Sequence, residues 1–173
     1  MRAMQEILLV DGYNIIHAWS DLKTTAEYSL EDARHALLEI MQDYQGYSGY
    51  RIIVVFDAHM IPGGLEKKEI IGGVEVVYTR ENETADRYIE RFVDGLSEYV
   101  RVMVATSDYL QQTIVMSRGA VRISARELLE QVRLFKRDIK KEYLDKPEPK
   151  SNTLEEWASP EVAKILDRWR KQG

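Results

Sequence analysis

The chain has 173 residues, 45% hydrophobic and 31% charged, which suits one globular domain with a modest tail and excludes disordered, collagen-like and membrane-spanning classes. It contains no cysteine, so a disulfide framework, a thiolate nucleophile, a zinc ribbon and an iron–sulfur site are excluded, and any metal must be held by oxygen or imidazole. The formal net charge of −5 is uneven: residues 118–150 carry ten Lys/Arg against six Asp/Glu, leaving 14 against 23 elsewhere.

Ile7-Leu8-Leu9-Val10 is a continuous apolar run that stops at Asp11-Gly12, the pattern of a parallel strand buried on both faces. It is too short for a signal peptide or a spanning helix, which points to a cytoplasmic protein with no membrane partner. Ser29 is a candidate N-cap, and Ala33, Leu37, Leu38, Ile40 and Met41 recur at helical spacing to an end near Gly46. Ile52 to Phe56 is a second buried strand, and it too runs into an aspartate, Asp57.

Between Ala58 and Gly73, a proline, paired glycines and Lys67-Lys68 predict a mobile loop able to clamp substrate; Val74 to Tyr78 predicts a strand nearer an edge. Residues 84–98 predict a helix with the apolar stripe Ala85, Ile89, Phe92, Val93 and Leu96, and with Asp86 on its shoulder. Val102 to Ala105 is the next buried strand, running through Thr106-Ser107 into Asp108. A helix to Ser117, an extended piece from Ala120 to Ile123 and a long helix over 125–142, capped by Ser124 with Glu127, complete the predicted domain. The domain spans 1–145, and 146–173 is a proline-bearing linker with a C-terminal helix over 160–171 that docks on it. Strands alternating with helices give an α/β fold with a mostly parallel central sheet.

Three strands therefore end in Asp11, Asp57 and Asp108. In open parallel sheets ligands bind beyond the carboxyl ends of the strands, so these acids should converge, and Asp86 joins them from its helix. Clustered carboxylates repel and need a cation to stay ionised together; hard oxygen ligands without cysteine point to Mg2+ or Mn2+. Such a site suits phosphodiester hydrolysis, in which a metal activates water and neutralises charge on the phosphorus oxygens. The competing explanation is that each aspartate only caps a turn. Asn14 lies across the Asp-Gly-Tyr-Asn turn, able to bind phosphate or only to form an Asx turn, and Thr106 and Ser107 offer hydroxyls to the acids or the phosphate. His17, His35 and His59 share no ligand spacing, and no catalytic histidine is expected.

The strings Leu-Leu-Val-Asp-Gly-Tyr-Asn-Ile-Ile (8–16), Val-Val-Phe-Asp-Ala-His (54–59), Glu-Asn-Glu-Thr-Ala-Asp (81–86), Ala-Thr-Ser-Asp (105–108), Arg-Gly-Ala (118–120) and Ser-Ala-Arg-Glu-Leu-Leu (124–129) together resemble the YacP-like NYN family of PIN-like nucleases. The resemblance runs from about residue 6 to residue 140 and leaves out the tail. It implies a PIN-like fold, divalent-metal phosphodiesterase chemistry on RNA, metal ligation by Asp11, Asp86 and Asp108, and support from Asp57 and Asn14. It further implies a ribosome-associated endoribonuclease that cuts messenger RNA, with the ribosome as partner.

An acidic pocket needs a basic approach for RNA. Arg118, Arg122, Arg126, Arg133, Lys136, Arg137, Lys140 and Lys141 supply one, partly at i, i+4 spacing; the alternative is a solvated face paired with Glu130, Asp138 and Glu142. Tyr13 can stack on a base or simply pack. A non-catalytic RNA- or ribosome-binding adaptor remains the main alternative, and a phosphoacceptor domain a weaker one because no lysine follows a later strand. A dinucleotide enzyme is weaker still, since the Gly-x-Gly-x-x-Gly cradle is missing and no small-molecule cofactor is implied.

Overall fold

The β-branched, continuously apolar runs form the centre of the molecule because only strands covered on both faces can carry no polar alternation. The computed structural model describes residues 4–58, 64–96, 99–145 and residue 168. In chain order the elements are β1 (Gln5–Asp11), α1 (Gly12–Ala18), α2 (Ser20–Tyr28), α3 (Leu30–Ser48), β2 (Arg51–Phe56), β3 (Lys67–Ile71), β4 (Val74–Tyr78), α4 (Ala85–Asp94), β5 (Val100–Ala105), α5 (Tyr109–Ser117), β6 (Val121–Ile123) and α6 (Ala125–Asp145). The sheet order is β3-β4-β2-β1-β5-β6. All pairings are parallel except β3 with β4.

From β1 the chain builds outward first through β2 and β4, then returns to the other side of β1 to place β5 and β6. The carboxyl end of β1 is thus the point where the winding reverses, the place at which open parallel sheets bind their ligands. Ile7, Leu9, Ile53, Val55, Val102 and Val104 pack on one face against Ala85, Tyr88, Ile89 and Val93 of α4 and Val115 of α5. The buried stripe of α3, Ala33, Leu37, Leu38, Met41 and Tyr44, packs its helix on β2 and β4.

Several expected boundaries move, each for a physical reason. The Asp-Gly-Tyr-Asn stretch, expected as a turn, and residues 15–28, to which the sequence assigned no element, form α1 and α2, which are too short to show an apolar period. Helix α3 runs through Gly46 to Ser48, because Gly49 is the residue that takes the left-handed cap at φ 73°. Part of the expected 58–73 loop is instead strand β3: Gly72 and Gly73, at φ 56° and 89°, make a two-residue hairpin turn that pairs Ile71 with Val74. That pairing puts β4 inside the sheet, with β3 at the edge. Helix α4 ends at Asp94, before Gly95, short of the expected 98.

The chain divides into two compact units, 1–136 and 137–173. The described part of the second is the last stretch of α6, through Asp145, and residue 168, also helical. The expected linker, His59 and nearly all of the expected tail helix fall outside the described residues. Among the described residues no helix is long and apolar enough to cross a membrane.

Candidate active site

Asp11 closes β1, Asp57 follows β2 directly, and Asp108 lies three residues past β5, so three neighbouring parallel strands deliver an acid to the same end of the sheet. Asp86 enters from above, in the first turn of α4, whose N-cap Thr84 accepts a hydrogen bond from the Arg87 amide at 3.2 Å. The apolar stripe of α4 holds that turn against the sheet.

Asp11 is buried, at 9% exposure. Burial above all, then the charge of Asp86, pushes its carboxyl up to about 7; the Asn14 backbone amide pulls the other way, and Asp57 adds to the rise. Asp86 is also raised, first by burial and then by the charge of Asp108, with smaller contributions from Glu90 and Asp57. The two carboxyls are coupled and both are raised, so the pair resists carrying two negative charges. Glu90, not among the residues expected from sequence, adds its charge to Asp86. The available signal was its i, i+4 spacing from Asp86, which puts both on one side of α4.

The acids rest on a hydrogen-bonded frame. Asn14 belongs to α1 rather than to an open turn, and its Oδ1 accepts the Ser107 amide at 2.5 Å, tying α1 to the loop after β5. Within that loop the Asp108 amide donates to Thr106 Oγ1 at 3.1 Å, and Asp108 Oδ1 accepts the Gln111 amide at 3.2 Å. Gln112 Nε2 donates to the Thr106 carbonyl at 2.6 Å, and Arg122 donates to Gln112 Oε1 at 3.0 Å. Gly12 lies under this corner, where a Cβ would overlap the ring of Phe56.

Several residues expected to touch substrate are committed elsewhere. Thr106 is fully buried and spends its hydroxyl on the Asp108 amide, so it is scaffold. Tyr13 is half-buried, with its ring 5.0 Å from Phe56 and its hydroxyl accepting from Arg34 at 3.1 Å. Lys67 and Lys68 sit on the edge strand β3, paired with Glu69 at 2.6 Å and Glu66 at 3.8 Å, rather than on a clamp. Ser107 remains exposed.

Of the basic residues, Arg118 pairs with Asp94, Arg122 holds Gln112, and Arg126 stands 3.4 Å from Glu130. Arg133 and Lys136 are exposed on α6, about 10 and 15 Å beyond Arg126 at the helical rise. Arg137, Lys140 and Lys141 are exposed within the second unit.

The sequence and the fold that carries these aspartates have close counterparts among known proteins. The chain matches the YacP-like NYN domain over residues 8–171. It belongs to the YacP-like NYN family. It is 46% identical over 171 residues to the protein YacP of Bacillus subtilis (strain 168), covering 96% of this chain and 97% of that protein. The crystal structure of Rae1 (YacP) from Bacillus subtilis superposes with a TM-score of 0.72 at 44% identity, covering 95% of this chain and 94% of that one. A tryptophan-to-leucine mutant of the same protein gives 0.73 at 39%, covering 94% and 99%. The mixed α/β architecture with a six-stranded central sheet is thus the YacP-like NYN fold, and membership brings a nuclease-type, RNA-related function.

Nuclease domains of this kind generally use divalent metals. The four aspartates supply only hard oxygen donors, and the mutual repulsion that raises Asp11 and Asp86 is what a cation would relieve, so by donor chemistry they fit such an ion. Among the described residues no three His, Asp or Glu side chains stand as a ready coordination set.

Proposed function

We propose that this protein is a divalent-metal-dependent endoribonuclease that hydrolyses RNA phosphodiester bonds. The observation that carries the reading is the buried Asp11 carboxyl, pushed up to about 7 among Asp86, Asp57 and, through Asp86, Asp108. A cluster this unfavourable without a counterion is the environment that perturbed functional carboxylates occupy.

Asp11, Asp86 and Asp108 would hold Mg2+ or Mn2+, which when bound supplies charge neutralisation at the phosphorus oxygens and lowers the pKa of water. The protein's own groups then have separate tasks. Asp11 and Asp86, raised by burial and by each other's charge, would be held ionised by that ion. Asp57 orients the attacking water. Asn14 fixes the Ser107 loop and hence Asp108, and the Ser107 hydroxyl is left to meet substrate. Arg126, with Arg133 and Lys136 further along α6, offsets the negative potential of the clustered aspartates for an incoming RNA backbone. The finer setting we propose, messenger RNA cut in association with the ribosome in the cytoplasm, is what the family resemblance implies.

The decisive experiment compares wild type with Asp11→Asn and Asp86→Asn on single-stranded RNA with added Mg2+ or Mn2+. Cleavage is expected to fall by at least on the order of 100-fold in either variant, with unchanged far-UV circular dichroism. Full activity in either variant overturns the assignment. A wild-type protein that binds RNA without cutting it under both ions makes the protein an adaptor instead. Co-sedimentation of Asp86→Asn with ribosomes tests the ribosomal setting.

A further inference from the structure

The loop after β5 has two sides. One carries Asp108 toward Asp86; the other opens on a groove of about 570 Å3 bounded by Trp19, Ser107, Tyr109, Gln112, Arg126 and Leu129. That volume is in the range that accommodates a small-molecule-sized group.

The groove is rigid where rigidity helps and open where contact is needed. Trp19 is buried and its Nε1 donates to the Ala125 carbonyl at 2.8 Å, fixing the wall formed by the start of α6. Gln112 is also buried, its amide held between the Thr106 carbonyl and Arg122. Tyr109, by contrast, is 80% exposed, although it directly follows Asp108 and begins α5. Arg126 is equally open, with 89% of its side chain exposed and a solvent-facing contact to Glu130. A preformed, partly apolar slot with one exposed aromatic ring and one exposed guanidinium is complementary to a flat heterocycle joined to an anionic backbone. Its position supports the same occupant, because Ser107 lines the groove and its amide is bound by Asn14 at the acid cluster.

We infer that this groove is a nucleobase subsite of the RNA-cleaving centre: the base of a nucleotide flanking the scissile phosphate stacks on Tyr109, and Arg126 faces the backbone phosphate of that nucleotide. The inference rests on the nuclease reading above and names where its substrate is gripped. Stacking tolerates any base, so the subsite positions the strand more than it selects sequence. It also replaces Tyr13, whose ring is packed on Phe56, as the aromatic contact to RNA.

The test uses the full chain and a short single-stranded oligoribonucleotide carrying 2-aminopurine, titrated with Ca2+ in place of Mg2+, with cleavage products followed separately under Mg2+ and Mn2+. Wild type is expected to quench the 2-aminopurine, Tyr109→Phe to quench equally, and Tyr109→Ala to lose the quenching and bind about tenfold more weakly. Arg126→Gln is expected to keep the quenching and to lower the slope of log affinity against log salt by about one. The exposed position of Tyr109 keeps its variants folded, which melting curves verify. No quenching by wild type, or Tyr109→Ala quenching as wild type does, overturns the subsite. Cleavage with quenching indifferent to Tyr109 sinks the subsite alone; Tyr109-dependent quenching without cleavage under either ion sinks the nuclease reading and leaves the base site standing.

Discussion

Asp11 is a carboxyl that the fold makes expensive to ionise. Its largest influence is burial, its second the charge of Asp86, and the result is a group near pH 7 in place of the usual 3.8. Between about pH 4 and pH 7 the folded protein therefore binds a proton that the unfolded chain has released. The contribution of this group to stability is full below the unfolded value and is lost as pH rises through the folded one. Asp11→Asn removes the penalty, so in buffer free of divalent ions it is expected to raise the melting temperature at pH 8 by about 5 °C, or about 2 kcal/mol, and to leave it unchanged at pH 4. A lower melting temperature at pH 8, read by differential scanning calorimetry, contradicts this account. Asn14→Ala removes the bond from Ser107 and should lower stability by about 1 kcal/mol. Its effect on RNA cleavage should be larger than its effect on melting, because the freed loop carries Asp108.

The elements around the site show which patterns are readable in a sequence. Strands β1, β2 and β5 were legible because burial on both faces demands an unbroken apolar run, and the polar residue that ends each run marks the sheet's carboxyl edge. The first turn of α4 was legible from its helical period. Helices α1 and α2 were not: α1 has seven residues, and α2 buries only Leu22. The β3–β4 hairpin was hidden because Gly72-Gly73 reads equally well as loop punctuation and as a hairpin turn; pairing with β4 decides it. Gly12 shows the same dependence at the start of α1. Its φ is ordinary, and glycine is needed only because Phe56 occupies the place of a side chain. Gly12→Ala should destabilise by about 1–3 kcal/mol in chemical denaturation, since the overlap is with a buried ring. A neutral effect would mean that Phe56 has room to move.

For the whole molecule, a net charge of −5 and the clustered strand-end aspartates give the proposed divalent cation a second role, that of a stabilising ligand. Mg2+ or Mn2+ is expected to raise the melting temperature of wild type more at pH 8 than at pH 5, where protons compete for Asp11, and to do little for Asp86→Asn. Equal stabilisation of the variant would place the ion elsewhere. The basic residues also sort differently once folded. Along the chain Arg118 to Lys141 look like one cationic series; in space Arg118 is paired with Asp94, Arg122 props Gln112, and Arg126 alone of the series borders the groove beside Ser107. Sequence by itself determined the α/β class, the family and the meeting of strand-end aspartates at one edge, because these depend on local period and on the geometry every parallel sheet shares. Only the tertiary structure decided that burial and mutual charge raise Asp11 and Asp86, that Glu90 adds its charge, and that Tyr13 is packed while Tyr109 is open. Desolvation and exposure at a residue are set by neighbours distant in the chain, and no local pattern encodes them.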